Sequence, residues 1–208
     1  MSDLANVVPQ HSPAAVLSAI LKMIDDRLIP ITRDSFTKGG APFGGAVING
    51  SNLEAVAVSV NDWRECPIYH GETNCIRHFY QLPPEKRPEP KTCVFFASHE
   101  PCSLCLSGFA WTGFPLIYYL FTYEETDELL GVSGDIEIIQ EVFRVRAPGD
   151  TDETLAARPL YNKQNKYFSV RSIDELIEQV KDGEEREKFK QKFQAVRDTY
   201  EEFRPPRS

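Results

Sequence analysis

The sequence has no long hydrophobic run, and its beginning has no basic segment followed by an apolar one. The longest apolar stretch, FPLIYYLF at residues 114–121, is far shorter than the roughly 20 residues that cross a bilayer. From these absences we expect neither a membrane-spanning helix nor a secretory signal peptide. We therefore expect a soluble, cytoplasmic protein without a membrane partner.

Cysteine is too scarce for a disulfide framework. The 208 residues contain five cysteines, an odd number in a chain long enough to fold around a hydrophobic core: Cys66, Cys75, Cys93, Cys102 and Cys105. Reduced thiols or metal ligands are therefore favoured over bridges. Only the last two cysteines are spaced like a metal-binding pair.

A surplus of basic residues is also missing. The chain carries 23 Lys and Arg against 31 Asp and Glu, and its net charge is -8. Most of the excess falls in residues 121–160, which hold ten acids and three arginines. Proteins that bind long nucleic acids need Lys and Arg to neutralise phosphates. We therefore expect a small, neutral or weakly charged ligand and no nucleic-acid partner.

What is present is an alternation of helix and strand patterns. Ser12 and Pro13 open an amphipathic helix that should end before Pro30. Strands are predicted at 43–48, 54–60, 92–98 and 116–121, and helices at 70–80, 101–111 and 123–130, while segment 135–143 has no clear pattern. This order predicts an α/β fold in which an opening hairpin leads into a partly parallel sheet with helices on both faces.

The chain after Tyr161 reads as a helical tail. Ser172 and Glu175 have capping-box spacing, and one side of a long charged helix carries Phe189, Phe193, Val196, Tyr200 and Phe203. This side is expected to pack on the core, with a dimer contact or a lid as alternatives. We divide the chain into a domain at 1–150 and a helical C-terminal extension at 151–208, packing on the domain or on a dimer partner.

Cys102 and Cys105 lie three residues apart at the predicted start of a helix, where Pro101 favours initiation. That spacing brings both thiols to one face, and the positive helix N-terminus favours thiolates. His70, at the start of another predicted helix, completes a His-Cys-Cys set for zinc. Catalytic zinc sites have three protein ligands and leave the fourth position for water.

Glu72, two residues after His70, is the candidate catalytic residue. If Glu72 were a fourth ligand of the metal, no coordination position would remain for water. Beside the site, its carboxylate can accept a proton from water and pass it to a substrate.

A structural zinc module is the main alternative from these residues alone. It requires a fourth protein ligand, for which Cys75, Cys93, His78 and His99 are available. A pair of the C-x-x-C type also occurs in redox proteins. His99 is either a neighbour of the pocket or a loop residue.

The motif resembles the H-x-E and P-C-x-x-C signature of the cytidine-deaminase-like zinc deaminase superfamily. The matching residues are His70, Glu72, Pro101, Cys102 and Cys105. The resemblance covers about residues 12–143. It implies a three-layer α/β/α sandwich around a five-stranded mixed sheet, Zn2+ as cofactor, and Glu72 as the group that carries protons.

Within this superfamily, APFGGAVING and HGE are similar to the small cytosine and guanine deaminases. EPCSLCLSGFAWTGFPLIYYLF and the later GVSGDIEIIQEV are most similar to guanine deaminase. The resemblance implies that Asn61 binds the base, that Phe43 lines the pocket, and that Asp135 contacts the amino edge of a purine. The loop with Trp63, shorter than is usual in the family, is expected to reshape one wall of the pocket.

We therefore expect a hydrolase that releases ammonia from a free nucleobase or a related amino-heterocycle, with a guanine-like ring favoured. Such an enzyme is a zinc-dependent aminohydrolase acting on C–N bonds of cyclic amidines. Cytosine or cytidine deamination, deamination of tRNA adenosine, and a non-catalytic structural zinc module are the alternatives. The resemblance also implies a homodimer.

Overall fold

Five strands form one sheet, and four of them are the strands predicted from the sequence. The computed structural model describes residues 3–135, 138, 149–157 and 168–203. The strands are β1 (Gly44–Asn49), β2 (Ala55–Val60), β3 (Cys93–His99), β4 (Leu116–Phe121) and β5 (Ser169–Ser172). Their order across the sheet is β2-β1-β3-β4-β5.

The helices are, in chain order, α1 (Asp3–Val7), α2 (Pro13–Met23), α3 (Ile29–Thr37), α4 (Gly71–Gln81), α5 (Ser103–Thr112), α6 (Tyr123–Leu130), α7 (Asp152–Ala157), α8 (Ile173–Ile177) and α9 (Gly183–Tyr200). A π-helical turn, Ile24–Leu28, joins α2 to α3. The predicted caps at the starts of α2 and α8 are present, since Ser12 and Ser172 accept backbone N–H bonds. None of the helices in the described ranges combines the length and hydropathy needed to span a membrane.

Strand directions bring three strand ends to one edge of the sheet. β1 runs antiparallel to both β2 and β3, whereas β3, β4 and β5 run parallel. The carboxyl ends of β2, β3 and β4 therefore lie at the same edge as the beginning of β1. The loops after β2 and β3 lead directly into α4 and α5, so both motif helices begin at this edge.

The core divides between the two faces of the sheet. On β3, Val94 and Phe96 belong to one buried cluster, and Phe95 and Ala97 belong to the other, as the two-residue period of a strand requires. Apolar residues of α4 and α5 join the second cluster, while those of α2 and α9 join the first. The result is the predicted three-layer α/β/α sandwich, with both motif helices in one layer.

The predicted end of the first helix before Pro30 is wrong. The π-helical turn lets the chain continue, because the N–H of Ile29 bonds to the carbonyl of Ile24, five residues earlier. Pro30 then lies in the first turn of α3, where its missing N–H is not needed. Local widening of the helix thus accommodates a residue that normally ends one.

The C-terminal extension is not only helical, because it supplies the fifth strand. β5 pairs in parallel with β4, matching Ser169 to Leu116 and Ser172 to Tyr119. A strand of four residues, SVRS, is too short and too polar to give a clear two-residue pattern. Segment 135–143, which the sequence left open, lies largely outside the described residues.

The apolar side of α9 packs on the chain's own core, as expected. Its buried side chains and those of α2 belong to the same cluster: Phe189, Phe193, Val196, Tyr200 and the following Phe203. A boundary near residue 150 stays a prediction.

Candidate active site

Gly71 allows the beginning of α4 to lie directly against β1. A Cβ atom at this position would be 2.6 Å from both the Cα of Gly44 and the carbonyl oxygen of Phe43. Real Cβ atoms do not approach backbone atoms so closely, so only glycine fits. The middle residue of HGE therefore sets the positions of His70 and Glu72 at the edge of the sheet.

His70 and the two cysteines meet at the beginnings of α4 and α5. His70 is the N-cap residue of α4 and Cys102 that of α5, while Cys105 lies in the first turn of α5. The Nδ1 atom of His70 is 3.3 Å from the sulfur of Cys102 and 3.9 Å from that of Cys105, and the sulfurs are 3.5 Å apart. The motif thus brings one nitrogen and two sulfurs together.

These separations fit a zinc ion. A tetrahedral site with Zn–S near 2.3 Å and Zn–N near 2.0–2.1 Å has ligand atoms about 3.5–3.8 Å apart. In the part of the chain that the structure describes, the metal-ligand group contains only His70, Cys102 and Cys105. Cys75, Cys93, His78 and His99, which were available for a structural zinc site, are not part of it. Three protein ligands leave a fourth position open, as in catalytic zinc sites.

Two of the three ligand side chains, Cys102 and His70, already favour their charged forms. A hydrogen bond from Cys105, together with His70, lowers the pKa of Cys102 to about 4 despite burial. The hydrogen bond to Cys102 raises the pKa of His70 to about 9. Burial raises the pKa of Cys105 well above its ordinary value. A bound cation replaces the protons that His70 and Cys105 hold in its absence.

Glu72 is buried next to the three metal-ligand residues but is not one of them. Burial, and next the negative charge of Cys102, raise the pKa of its carboxyl group to about 8. Its Cα lies only 3.3 Å from the position a Cβ on Gly45 would take, so α4 packs tightly on β1 there as well. A buried carboxyl group that prefers to hold a proton is suited to accepting one and returning it.

One pocket of about 200 Å3 brings the sequence-predicted residues together. His70, Glu72 and Cys102 line it, as do Phe43, Asn61 and Asp135. Cys105 is fully buried and is not among the lining residues. All three candidate substrate-binding residues therefore reach the same cavity as the metal ligands.

Two hydrogen bonds position Asn61 in the wall of this pocket. The backbone N–H of Asn61 donates to the carbonyl oxygen of Phe43 at 2.8 Å, which joins the end of β2 to the beginning of β1. The side-chain oxygen of Asn61 accepts the N–H of Trp63 at 3.4 Å. Burial raises the pKa of Asp135 to about 6, and the charge of Cys102 acts in the same direction.

Several residues that line the pocket were not predicted from the sequence. Ser98 and Glu100 line the pocket, as do Thr126 and Val132. Ser98 accepts the N–H of Gly44 at 2.8 Å, and Glu100 accepts the N–H of Tyr123 at 3.3 Å. For Ser98 and Glu100, a position next to P-C-x-x-C was the only signal in the sequence. Trp63 lines the pocket as the analysis of its loop predicted.

His99 is a neighbour of the pocket and not a loop residue. It ends β3, and its ring stacks on Phe121 at 4.9 Å and meets the edge of Phe43 at 4.7 Å. Nδ1 lies 2.9 Å from the hydroxyl of Ser98, whereas Nε2 has no hydrogen-bond partner among the described residues. Burial lowers the pKa of His99 to about 3, so its ring stays neutral at physiological pH.

A family model matches the part of the chain that holds the candidate site. Residues 26–121 match the model described as the cytidine and deoxycytidylate deaminase zinc-binding region. The matched range spans somewhat less than half of the 208 residues, and in this range the chain is similar to the zinc deaminases of the cytidine-deaminase-like superfamily. The matched range contains the complete metal group and Glu72, and the resemblance noted in the sequence is confirmed.

Similar solved structures include three deaminases. The guanine deaminase of Bacillus subtilis is 20% identical, with 64% of this chain and 87% of that chain covered and a TM-score of 0.49. The guanine deaminase of Nitrosomonas europaea is 16% identical, with 88% of this chain and 84% of that chain covered and a TM-score of 0.46. A tRNA:A34 deaminase is 20% identical, with 44% of this chain and 68% of that chain covered and a TM-score of 0.36. No curated protein matches the chain.

We expect purified protein to hold about one zinc ion per chain. Cys102→Ala should lose that ion and part of the stability, since metal binding is coupled to folding. Cys75→Ala is the matched control, because Cys75 is also buried but lies outside the metal group. Metal content measured by atomic emission and thermal unfolding check both variants. Full zinc retention in Cys102→Ala would contradict the ligand assignment.

The buried neutral ring of His99 should make stability depend on pH. The unfolded chain binds a proton to this ring below pH 6.5, but the folded protein does so only near pH 3. The free energy of unfolding should therefore fall as the pH drops, by about 2 kcal/mol near pH 5 from this group. Denaturant unfolding of the parent and of His99→Asn at both pH values checks this. An equal decrease in the variant would assign the effect to other groups.

Proposed function

We propose that the protein is a hydrolytic zinc-dependent deaminase of a free nucleobase or related amino-heterocycle, with a guanine-like ring favoured. The observation that carries the proposal is one pocket of about 200 Å3. Two of the metal ligands, His70 and Cys102, line it together with Glu72, Asn61 and Asp135. Pockets for drug-sized ligands begin near roughly 300 Å3. A cavity smaller than this favours one compact ring system over a nucleotide.

Zinc, when bound, supplies the Lewis acidity that activates water for attack on an amino-substituted ring carbon. Glu72 accepts a proton from the water and delivers it to the neighbouring ring nitrogen, which makes that carbon electrophilic. The same carboxylate then takes the second proton from the oxygen now attached to that carbon and gives it to the amino nitrogen. The C–N bond breaks as the C=O bond forms, and ammonia leaves. The burial of Glu72 beside His70 and Cys102 supports this role, because it keeps the carboxyl group within the pocket and away from bulk water.

Asn61 and Asp135 supply complementary polar groups for holding the ring. A carboxylate accepts hydrogen bonds from ring N–H and amino groups, as the amino edge of a guanine-like base requires. The Asn61 amide offers both a donor and an acceptor for another edge. Phe43 supplies an apolar surface, and its ring is fixed by its edge contact with His99.

The charge around the pocket favours a neutral substrate. Glu100 and Asp135 line the cavity, and the sequence concentrates acids in residues 121–160. A negative field lowers the local concentration of anions. Polyphosphorylated nucleotides and long nucleic acids are therefore poorer candidates than an uncharged ring.

The remaining alternatives differ in substrate and not in metal chemistry. Cytosine or cytidine deamination and tRNA adenosine deamination use the same zinc and glutamate. The homodimer implied by the resemblance and the cytoplasmic location expected from the sequence stay predictions. A screen for ammonia release from guanine, cytosine, cytidine and tRNA distinguishes the substrates.

We expect Glu72→Ala to lower turnover by about 100- to 10,000-fold, the range typical of a positioned acid–base group. Zinc content and fold should change little, because Glu72 lies outside the metal group. Glu85→Ala, which alters an exposed glutamate far from the motif in sequence, is the control. Ammonia release and metal content are measured together. Surviving activity would exclude the proton-transfer role, and loss of zinc would make Glu72 structural.

Guanine or a related 2-amino heterocycle should be deaminated faster than cytosine. Asp135→Asn should raise KM or lower kcat for guanine in particular, because an amide accepts fewer hydrogen bonds than a carboxylate and has no negative charge. Steady-state ammonia release with both bases checks the selectivity, and cytosine serves as the internal control. Strong preference for cytosine or cytidine, with Asp135→Asn equal to the parent, would assign the enzyme to pyrimidines.

A further inference from the structure

Trp63 presents a large aromatic surface at the pocket. The chain has two tryptophans, and Trp63 lines the same cavity as His70 and Glu72. Its side chain remains 49% exposed. A tryptophan on the wall of so small a cavity has apolar surface available for a ligand to cover.

The loop that carries Trp63 is held in place by hydrogen bonds. The N–H of Asp62 donates to the carbonyl of Tyr69 at 2.8 Å, and that of Cys66 donates to the carbonyl of Asp62 at 3.1 Å. Arg64 also donates to the carbonyl of Lys38 at 3.0 Å. The loop therefore forms a closed turn between β2 and α4 and fixes the backbone of Trp63 next to Asn61.

The other aromatic ring of the pocket wall is already engaged. Phe43 contacts the ring of His99 at 4.7 Å with an interplanar angle of 77°. Among the described residues, no aromatic ring packs on Trp63. An indole on a fixed backbone, with a half-exposed side chain and no ring partner, is suited to stacking on a planar ligand.

We propose that Trp63 is a substrate-binding residue whose indole covers one face of the planar ring in the pocket and shields it from solvent. The proposal rests on the proposed function, in that the ring is the heterocyclic substrate. Asn61 and Asp135 would hold the edges of this ring while Trp63 covers a face. Stacking on an aromatic side chain discriminates little between bases, because every base has a π-face. Trp63 therefore contributes affinity, while Asn61 and Asp135 select the ring.

The two tryptophans permit a direct test of binding. Trp111 lies near the end of α5 and is 91% exposed, so Trp111→Phe leaves Trp63 as the single tryptophan with little structural cost. Combining it with Glu72→Ala prevents turnover during the measurement. Titration of the zinc-loaded protein with guanine should change the indole emission saturably. The matched protein with Trp63→Phe, which retains Trp111, should show no saturable change.

Kinetics separates ring stacking from a role in loop structure. Trp63→Ala should raise KM for guanine by about 5- to 150-fold, the loss expected for one base–aromatic stack, with a smaller change in kcat. Trp63→Phe keeps an aromatic face and should restore most of the affinity, whereas Trp63→Leu should not. Trp111→Ala is the control and should behave like the parent. Equal KM values for the alanine variant and the parent would overturn the proposal.

Failure of this proposal is distinguishable from failure of the proposed function. If the parent releases ammonia from guanine but Trp63 emission does not respond, only the stacking role is wrong. If guanine, cytosine and cytidine yield no ammonia, the proposed function fails, and titration with the same three ligands still decides the role of Trp63. A saturable response to any of them supports ring binding, and no response to all three overturns it.

Discussion

The close contact between the beginnings of α4 and β1 controls the geometry of the site. With glycine at position 71, helix and strand backbones approach to distances that any side chain would block. His70 and Glu72, on either side of Gly71, are therefore held by backbone packing and not by flexible side-chain contacts. Zinc chemistry needs this accuracy, because a ligand displaced by about 1 Å no longer fits a tetrahedral site.

Sheet topology gathers the remaining groups around that contact. The ends of β2, β3 and β4 contribute Asn61, His99 and Phe121, and the beginning of β1 is preceded by Phe43. Hydrogen bonds then join neighbouring strands at this edge, from Asn61 to Phe43 and from Gly44 to Ser98. The pocket wall is thus part of the sheet itself, which gives the small cavity a defined shape.

Features with a local physical cause were predictable from the sequence. The metal-ligand residues lie at the starts of two helices, and both starts could be predicted from local sequence. The three-residue spacing of Cys102 and Cys105 places both thiols on one helical turn. The continuation of the helix past Pro30 was not predictable, because a π-helical turn that accommodates the proline leaves no residue signature. β5 was missed because its pairing with Leu116–Phe121 joins distant parts of the chain, and SVRS alone shows no pattern. The convergence of Ser98, Glu100 and Thr126 on the pocket likewise depends on tertiary structure.

The C-terminal extension supports the site through aromatic contacts. Tyr200, at the end of α9, lies 5.3 Å from Phe121 and 5.6 Å from His99, measured between ring centroids. His99 in turn contacts Phe43 at the pocket wall. Close-packed interiors transmit displacement, because each ring fills the space that its neighbour would otherwise enter. The position of α9 therefore bears on the position of Phe43, although no residue of that helix lines the pocket. The neutral form of His99 is part of this arrangement, since a charged ring among three aromatic neighbours would lose its hydration without gaining a counter-ion.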